Sequence, residues 1–359
     1  MRKDILRQIT LERVTPSCAP KQPTFRTCAE GRMRAVNVDS CNLCEIGSLL
    51  AAGFLRYTDW AYWSVMTAEP SWLGERHWWK IDNDDPERRE QKMLDELVVN
   101  ADVLHLNSYR TWEFLGRCAD AMKGRTRVVM HHHSMNLREK PQIAWEERDA
   151  GWNVLVSTPD LLMHVPWATW LPSPIDVEEL DANYPVWDDE EDRFIVGHAF
   201  TVAANKGTND FARVMCQCMN ADQSIKFLPW NGIAKRQSLW LMSQCDAYFA
   251  SYPYGPGVAA YEAMAMEIPV LCGCSEEELK WQCKALGVKT AADLPWIYVT
   301  PETTGEWIMR LRENPELSRQ WGRQGRLYVE EYHAVPRVVE RLLDIYEGTA
   351  PCREVLTSA

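Results

Sequence analysis

The sequence has no uninterrupted apolar run approaching the roughly 18 residues that would span a bilayer. Its first residues, MRKDILRQITLERV, are charged throughout, where a secretory leader would carry an apolar core. A soluble, cytoplasmic protein with no stable membrane insertion is the expectation. Twelve cysteines are present, yet only Cys41 and Cys44 have the two-residue gap that suits metal or redox chemistry. Without a second such pair a structural zinc site is not expected, and reduced, mostly buried thiols are. There is no internal repeat and no extended low-complexity tract, which excludes solenoids and biased tails. Positive charge is also scarce where it would matter for polyanions. The net charge is −12; residues 1–150 hold 22 basic and 22 acidic side chains, and the rest hold 17 against 29. Non-specific adhesion to polyanions is therefore not expected of the C-terminal half. The first 34 residues reverse the sign, with eight basic and three acidic side chains, either as a solvated arm or as a contact for an anionic acceptor.

What is there fits an ordinary folded protein of two domains. Hydrophobic residues make up 46% and charged residues 25% of 359, a length beyond which single cores stop growing. From Met33 onward, short apolar runs bounded by turn residues alternate with helix-length segments, the pattern of parallel sheets covered by helices. Candidate strands are 33–38, 102–106, 127–132, 153–157, 193–198, 224–229, 246–251, 268–273 and 296–300. Several are apolar on successive residues, as strands buried on both faces should be. Between the fourth and fifth lies WLPSPIDVEELDANYPVWDDEEDR, whose prolines and acidic run read as a linker and a solvated loop. The expected division is 1–172 for an acceptor-side domain, with 1–32 as an extension, 173–335 for a second domain, and 336–359 for a helix and tail returning to the first. Three helices are expected over 302–314, 315–332 and 335–348, with Pro315 and Pro336 near two of the starts.

The segment SQCDAYFASYPYGPGVAAYEAMAMEIPVLCG (243–273) carries the most chemistry. A strand ends near Ser251, a Gly/Pro-rich loop follows, and a helix starts near Val258. Gly255 and Gly257 let backbone approach a ligand closely, and a helix N-terminus offers unpaired N–H groups to a diphosphate. Glu262, early in that helix, has the chemistry to accept hydrogen bonds from ribose hydroxyls. The same pattern also serves many α/β proteins in which such a glutamate only complements the helix dipole.

The string YGPGVAAYEAMAMEIPVLC resembles the signature of the retaining glycosyltransferase family that includes sucrose synthases and bacterial mannosyltransferases. That family's segment carries two glutamates eight positions apart. Glu262 matches the second, which the resemblance makes the ribose ligand. Tyr254 stands where the first belongs, a departure that touches donor-sugar contacts, while the amides of Gly257 and Val258 remain for the sugar or phosphate. VGHAFTVAANKGTNDFARVM (196–215) is similar to the family's first C-terminal strand, loop and helix. Lys206 there matches the lysine that neutralises the donor diphosphate, with Thr201 as a second loop contact. GRTRVVMHHHSMNLREKP (124–141) resembles the strand ending in the active-site histidine, for which His133 is the match. Its three consecutive histidines do not suit one metal ion, because neighbours on a strand point to opposite faces. ADVLHLNSYR (101–110) is similar to the preceding strand and places Asn107 at its carboxyl end. The likeness covers residues 100–347.

The resemblance implies an α/β fold of GT-B type: two Rossmann-like domains with a cleft between them and a C-terminal helix crossing back to the first. It implies a metal-independent hexosyl- or pentosyltransferase that retains anomeric configuration. The partner is a nucleoside-diphosphate sugar, bound as donor substrate with no further cofactor. The catalytic candidates are His133 and Asn107, and the donor-binding candidates are Lys206, Thr201, Tyr254, Gly257, Val258 and Glu262. The acceptor is open among a saccharide, a lipid, a small molecule and a modified DNA base. Rival readings are a DNA glycosyltransferase acting on a hydroxymethylated pyrimidine, an inactive sugar-nucleotide-binding protein, and an epimerase or phosphorylase on the same scaffold. The tryptophans of AYWSVMTAEPSWLGERHWWKIDNDD (61–85) read as core or as stacking surfaces for a sugar or base.

Overall fold

A computed structural model of the protein describes residues 33–39, 45–66, 97–107, 127–133, 135–184 and 192–348. The basic arm, the Cys41/Cys44 pair, most of the tryptophan-rich stretch and residues 185–191 of the acidic run lie outside the described residues. The first lobe contains β1 (Arg34–Asp39), α1 (Ile46–Tyr57), β2 (Ala61–Met66), β3 (Val103–Asn107), β4 (Arg127–His132), α2 (Met135–Glu139), α3 (Gln142–Asp149), β5 (Asn153–Val156) and β6 (Thr169–Trp170). Its strands pair in the order β2-β1-β3-β4-β5-β6, all parallel.

The second lobe begins with α4 (Val177–Asn183) and β7 (Phe194–Ala199), followed by α5 (Thr208–Ala221), β8 (Ile225–Trp230) and α6 (Lys235–Met242). It continues through β9 (Ala247–Phe249), α7 (Val258–Ala265), β10 (Val270–Cys272), α8 (Glu276–Leu286) and β11 (Ile297–Tyr298). The tail is helical: α9 (Pro301–Glu313), α10 (Pro315–Tyr332) and α11 (Val335–Glu347). Its sheet, also parallel throughout, runs β11-β10-β9-β7-β8.

All nine expected strands are present within a few residues. The sequence reading missed the edge strands β2 and β6, and it took VEELDAN for linker where the chain forms α4. The physical reason is local: the Asp176 carboxylate accepts from the Glu179 amide, and Glu178 and Glu179 sit in the first turn, where acid favours a helix N-terminus.

Each sheet is buried on both faces. In the first lobe, Ala35, Val103, Val129 and Leu155 pack under α1 and α11, while Val36, Val38, Leu104 and Met130 form the core of the opposite face. In the second, Phe249, Leu271 and Ile297 meet Phe211 and Met215 of α5 and Ile308 of α9. Tyr248, Val270 and Cys272 share the other core with Met264 of α7 and Val329 of α10.

The last helix leaves the second lobe and closes on the first. Its buried residues, Val335, Val338, Val339, Leu342, Ile345 and Tyr346, recur at helical spacing. They rest on α1 so closely that a Cβ at Gly53 would lie 2.5 Å from Val335 Cγ1. Tyr346 stacks on Phe54 at 5.8 Å. Where the chain crosses, Ile175 N–H donates to the His333 carbonyl at 2.7 Å and Val335 N–H to the Ile175 carbonyl at 3.2 Å.

Burial holds five histidines neutral. His105, His133 and His333 are pushed down to about 3 and His198 to about 4, in each case chiefly by desolvation, and His131 is lowered by the same cause. The unfolded chain takes up protons below about pH 6.5, and the folded chain does not until near pH 3 to 4. Stability from this source is complete above pH 6.5 and is lost as pH falls through that window. The urea midpoint should therefore drop between pH 7 and pH 5 and change little from this source between pH 7 and pH 8; a midpoint flat from 7 to 5 would contradict the burial assignment.

Candidate functional site

The loop between β9 and α7 is fixed by its own backbone. Ser251 Oγ donates to the Gly255 carbonyl at 3.0 Å, and Gly255 N–H donates to the Gly273 carbonyl at 2.9 Å. Gly255 has φ +74°, a left-handed conformation that favours glycine. Gly257 then caps α7 in extended conformation and brings no side chain to the first-turn amides. The Val258 and Ala259 amides are left to whatever occupies the cleft, while the Ala260 and Tyr261 amides turn back to the Gly257 carbonyl at 2.9 and 3.2 Å.

Lys206 ends the short turn Ala204–Lys206 at the carboxyl end of β7. Its Nζ lies 3.9 Å from the point a Gly257 Cβ would occupy, which puts the cation beside the N-terminus of α7. The carbonyl of Lys206 accepts from Tyr252 N–H at 3.2 Å, tying the two loops together. Beneath them His198 is fully buried between the Phe249 carbonyl at 3.0 Å and the Thr208 hydroxyl at 2.9 Å. Its pKa is lowered mainly by burial, against the Phe249 hydrogen bond and with a contribution from Lys206.

Glu262 stands in the second turn of α7, 6% exposed, and is ion-paired with Lys235 at the start of α6. Burial raises its pKa; Lys235 opposes that rise and Glu45 adds to it. The pair lines a cavity of about 220 Å³ to which both lobes contribute: Glu45 and Leu49 from the first, Lys235, Leu239 and Glu262 from the second, with Ile175 in the crossing segment. Glu45 has φ +60°, a left-handed conformation that a non-glycine residue adopts at a cost.

Tyr254 reaches across the cleft. Its ring lies 4.7 Å from the guanidinium of Arg138 on α2. Arg138 Nε and Nη2 both donate to Asp160 Oδ2, at 2.9 and 2.6 Å, and Asp160 is buried. In the first lobe, His133 Nε2 is 2.6 Å from Asn107 Oδ1. Desolvation, then His105 and His132, lowers its pKa to about 3. The histidine run splits by strand alternation: the rings of His131 and His133 are 4.0 Å apart on one face, while His132 meets Glu147 at 2.7 Å on the other. Among the described residues no group of three or more His, Cys, Asp or Glu is arranged to hold a metal ion. Among the same residues no helix is long and apolar enough to cross a membrane.

Of the residues singled out in the sequence, Lys206, Gly257 and Val258 gather at the start of α7, and Glu262 lies one turn further on. Thr201 is exposed in the same β7 loop, and Tyr254 is drawn toward the first lobe. Asn107 and His133 are joined to each other on the opposite side of the cleft. Sequence reasoning missed Lys235, Glu45 and the Arg138–Asp160 pair. Arg138 lay inside a segment already marked, but Lys235 and Glu45 belong to no motif.

No protein-family model matches the chain, and no curated protein is similar enough in sequence to count as a relative. Solved structures are similar. An alpha-glucosyltransferase in complex with UDP-glucose and DNA containing an abasic site superposes with a TM-score of 0.66 at 12% identity, covering 88% of this chain and 100% of that one. HepE of Anabaena, in complex with UDP and glucose, gives 0.60 at 14% identity with the same coverage. TarM gives 0.51 at 12% identity, over 68% of this chain and 54% of that one.

The fold is GT-B. The cleft between the lobes of a GT-B protein lies at the carboxyl ends of its strands, where open α/β sheets place ligands, and Lys206, Asn107 and His133 all stand at such ends. Substituting Lys235→Met should strand the Glu262 carboxylate and cost about 3 kcal/mol of stability, read from the urea midpoint. The double variant Lys235→Met/Glu262→Gln should recover most of the loss; a double variant as unstable as the single would show that the pairing is not what matters there.

Proposed function

We propose that the protein is a retaining glycosyltransferase that moves a sugar from a nucleoside-diphosphate sugar to an acceptor hydroxyl. The observation that carries this reading is the placement of the Lys206 ammonium against the uncapped N-terminus of α7, one turn from Glu262 in a cavity lined by both lobes. The diphosphate sits at the amides of Gly257 and Val258 with Lys206 beside it, so charge gathering on the leaving nucleoside diphosphate meets a cation and a helix dipole already in place. No resident metal is needed for that task. Glu262 takes the ribose hydroxyls, and Lys235 is paired with it until they arrive. His133 and Asn107 face the donor sugar from the first lobe. The donor phosphate serves as the base for the acceptor hydroxyl, and closure of the lobes excludes water as a competing acceptor. Uridine is the proposed base, since HepE and the alpha-glucosyltransferase both bind UDP.

Lys206→Ala and Glu262→Gln should each reduce turnover of the donor by at least about a hundredfold, and Lys206→Ala should leave the melting temperature within a few degrees. UDP should raise the melting point of the unaltered protein and not of Lys206→Ala. Near-normal turnover in both variants would remove the assignment.

A second reading concerns the acceptor. The fold similarity to a DNA-bound alpha-glucosyltransferase favours a hydroxymethylated pyrimidine in DNA, against the net charge of −12. Gel retardation of duplex DNA at two salt concentrations decides: a DNA-acting enzyme shifts the duplex at low salt and releases it at high salt, and no shift at either discards this acceptor.

A further inference from the structure

On the face of the first sheet covered by α1 and α11, side chains turn from apolar at the amino ends of the strands to polar at the carboxyl ends. Ala35 gives way to Asn37 on β1, Val103 to His105 and Asn107 on β3, and Val129 to His131 and His133 beyond β4. Three of these polar groups and Ser64 of β2 are joined in a line. Asn37 is the register partner of Ser64 on β2, and its Nδ2 donates to Ser64 Oγ at 2.9 Å. Asn107 lies one strand over and two residues further along; its Nδ2 donates to Asn37 Oδ1 at 2.7 Å. His133 repeats the same diagonal step from β3 to the end of β4, with Nε2 2.6 Å from Asn107 Oδ1.

Packing alone does not call for such a line. Asn37 and Asn107 are 0% exposed, and an amide costs free energy in the middle of a parallel sheet unless both its ends are bonded. Space is reserved for it as well: a Cβ at Gly47, in the first turn of α1, would lie 2.5 Å from Ser64 Oγ and 2.6 Å from Asn37 Nδ2.

The line has a direction. The Nδ2 of Asn37 is given to Ser64 and that of Asn107 to Asn37, so Asn107 offers His133 only an oxygen, and an oxygen accepts. With both amides in these orientations, His133 Nε2 carries the hydrogen. In a neutral ring that leaves the lone pair on Nδ1, and Nδ1 is buried with no hydrogen-bond partner among the described residues.

We propose that Ser64 and Asn37 are positioning residues which act through Asn107 to hold His133 as the Nε2–H tautomer, so that the ring meets a substrate hydroxyl as an acceptor at Nδ1. The substrate half of this statement rests on the transferase reading; the tautomer half does not.

The test uses the full-length chain labelled with ¹⁵N, with the His133 ring assigned by its loss in His133→Gln. The expected spectrum has a protonated Nε2 and a lone-pair Nδ1, unchanged from pH 5.5 to 8. Ser64→Ala and Asn37→Leu should mix the two tautomers, and Ser64→Thr, which keeps the hydroxyl, should not. In the two disrupting variants, turnover of a nucleotide sugar should fall on the order of tenfold, while the melting shift caused by UDP, which binds the other lobe, stays as in the unaltered protein. A merely structural role would lower both together. If Asn37→Leu does not fold, Ser64→Ala carries the test. The proposal is overturned by an Nδ1–H tautomer in the unaltered protein, or by an unchanged tautomer in the folded variants. A tautomer that responds as expected in a chain that turns over no nucleotide sugar supports the relay and overturns the transferase reading instead.

Discussion

The two backbone hydrogen bonds at Ile175 set the conditions for everything in the cleft. One joins the outgoing segment to His333 and the other brings Val335 back to Ile175, so the chain passes between the lobes twice at one place. α11 anchors the second passage by burying Val338, Leu342 and Tyr346 against α1. Without that anchor the cavity at Glu262 would lose its far wall, because Glu45 and Leu49 come from the lobe that α11 holds in place. His333, buried between the Ser173 carbonyl and the Tyr328 hydroxyl and stacked 3.9 Å from Tyr261, locks the crossing from the inside.

The cleft itself concentrates conformations and charges that a protein interior otherwise avoids. Glu262 is buried with its cation, Glu45 holds a left-handed backbone beside it, and Arg138 is folded onto a buried aspartate with Tyr254 under it. Each costs free energy on its own, through desolvation or backbone strain. Glu45, Lys235 and Glu262 line one cavity to which both lobes contribute. The Tyr254 ring accepts the Arg138 guanidinium and links the two lobes at the mouth of the loop.

Legibility in the sequence followed the range of the interaction. Strands buried on both faces announce themselves as apolar runs, and the tail helices as periodic ones, because both signals lie within a few consecutive residues. β2 was hidden because AYWSVM carries no turn residues at its ends and its aromatic content reads equally as surface or core. α4 was hidden because an acidic, proline-flanked stretch has the composition of a linker, and only the Asp176 cap makes it a helix. Gly257 and Glu262 could be singled out because loop glycines and an early helix glutamate fall within one segment, and Lys206 from a second segment of its own. Lys235 was not, being 27 residues from Glu262 with no pattern of its own.

By itself the sequence determined nine of the eleven strands, the three tail helices, that two parallel sheets form, and which glycine-containing loop precedes the helix that carries Glu262. These outcomes depend on side-chain size, periodicity and glycine placement, all local quantities. Only the tertiary structure decided that Glu262 pairs with Lys235, that Tyr254 faces Arg138, and that Ser64, Asn37, Asn107 and His133 fall into one line across four strands. Those contacts depend on strand order and register and on the return of α11 to the first lobe, and order and register are properties of the assembled sheet that no single segment encodes.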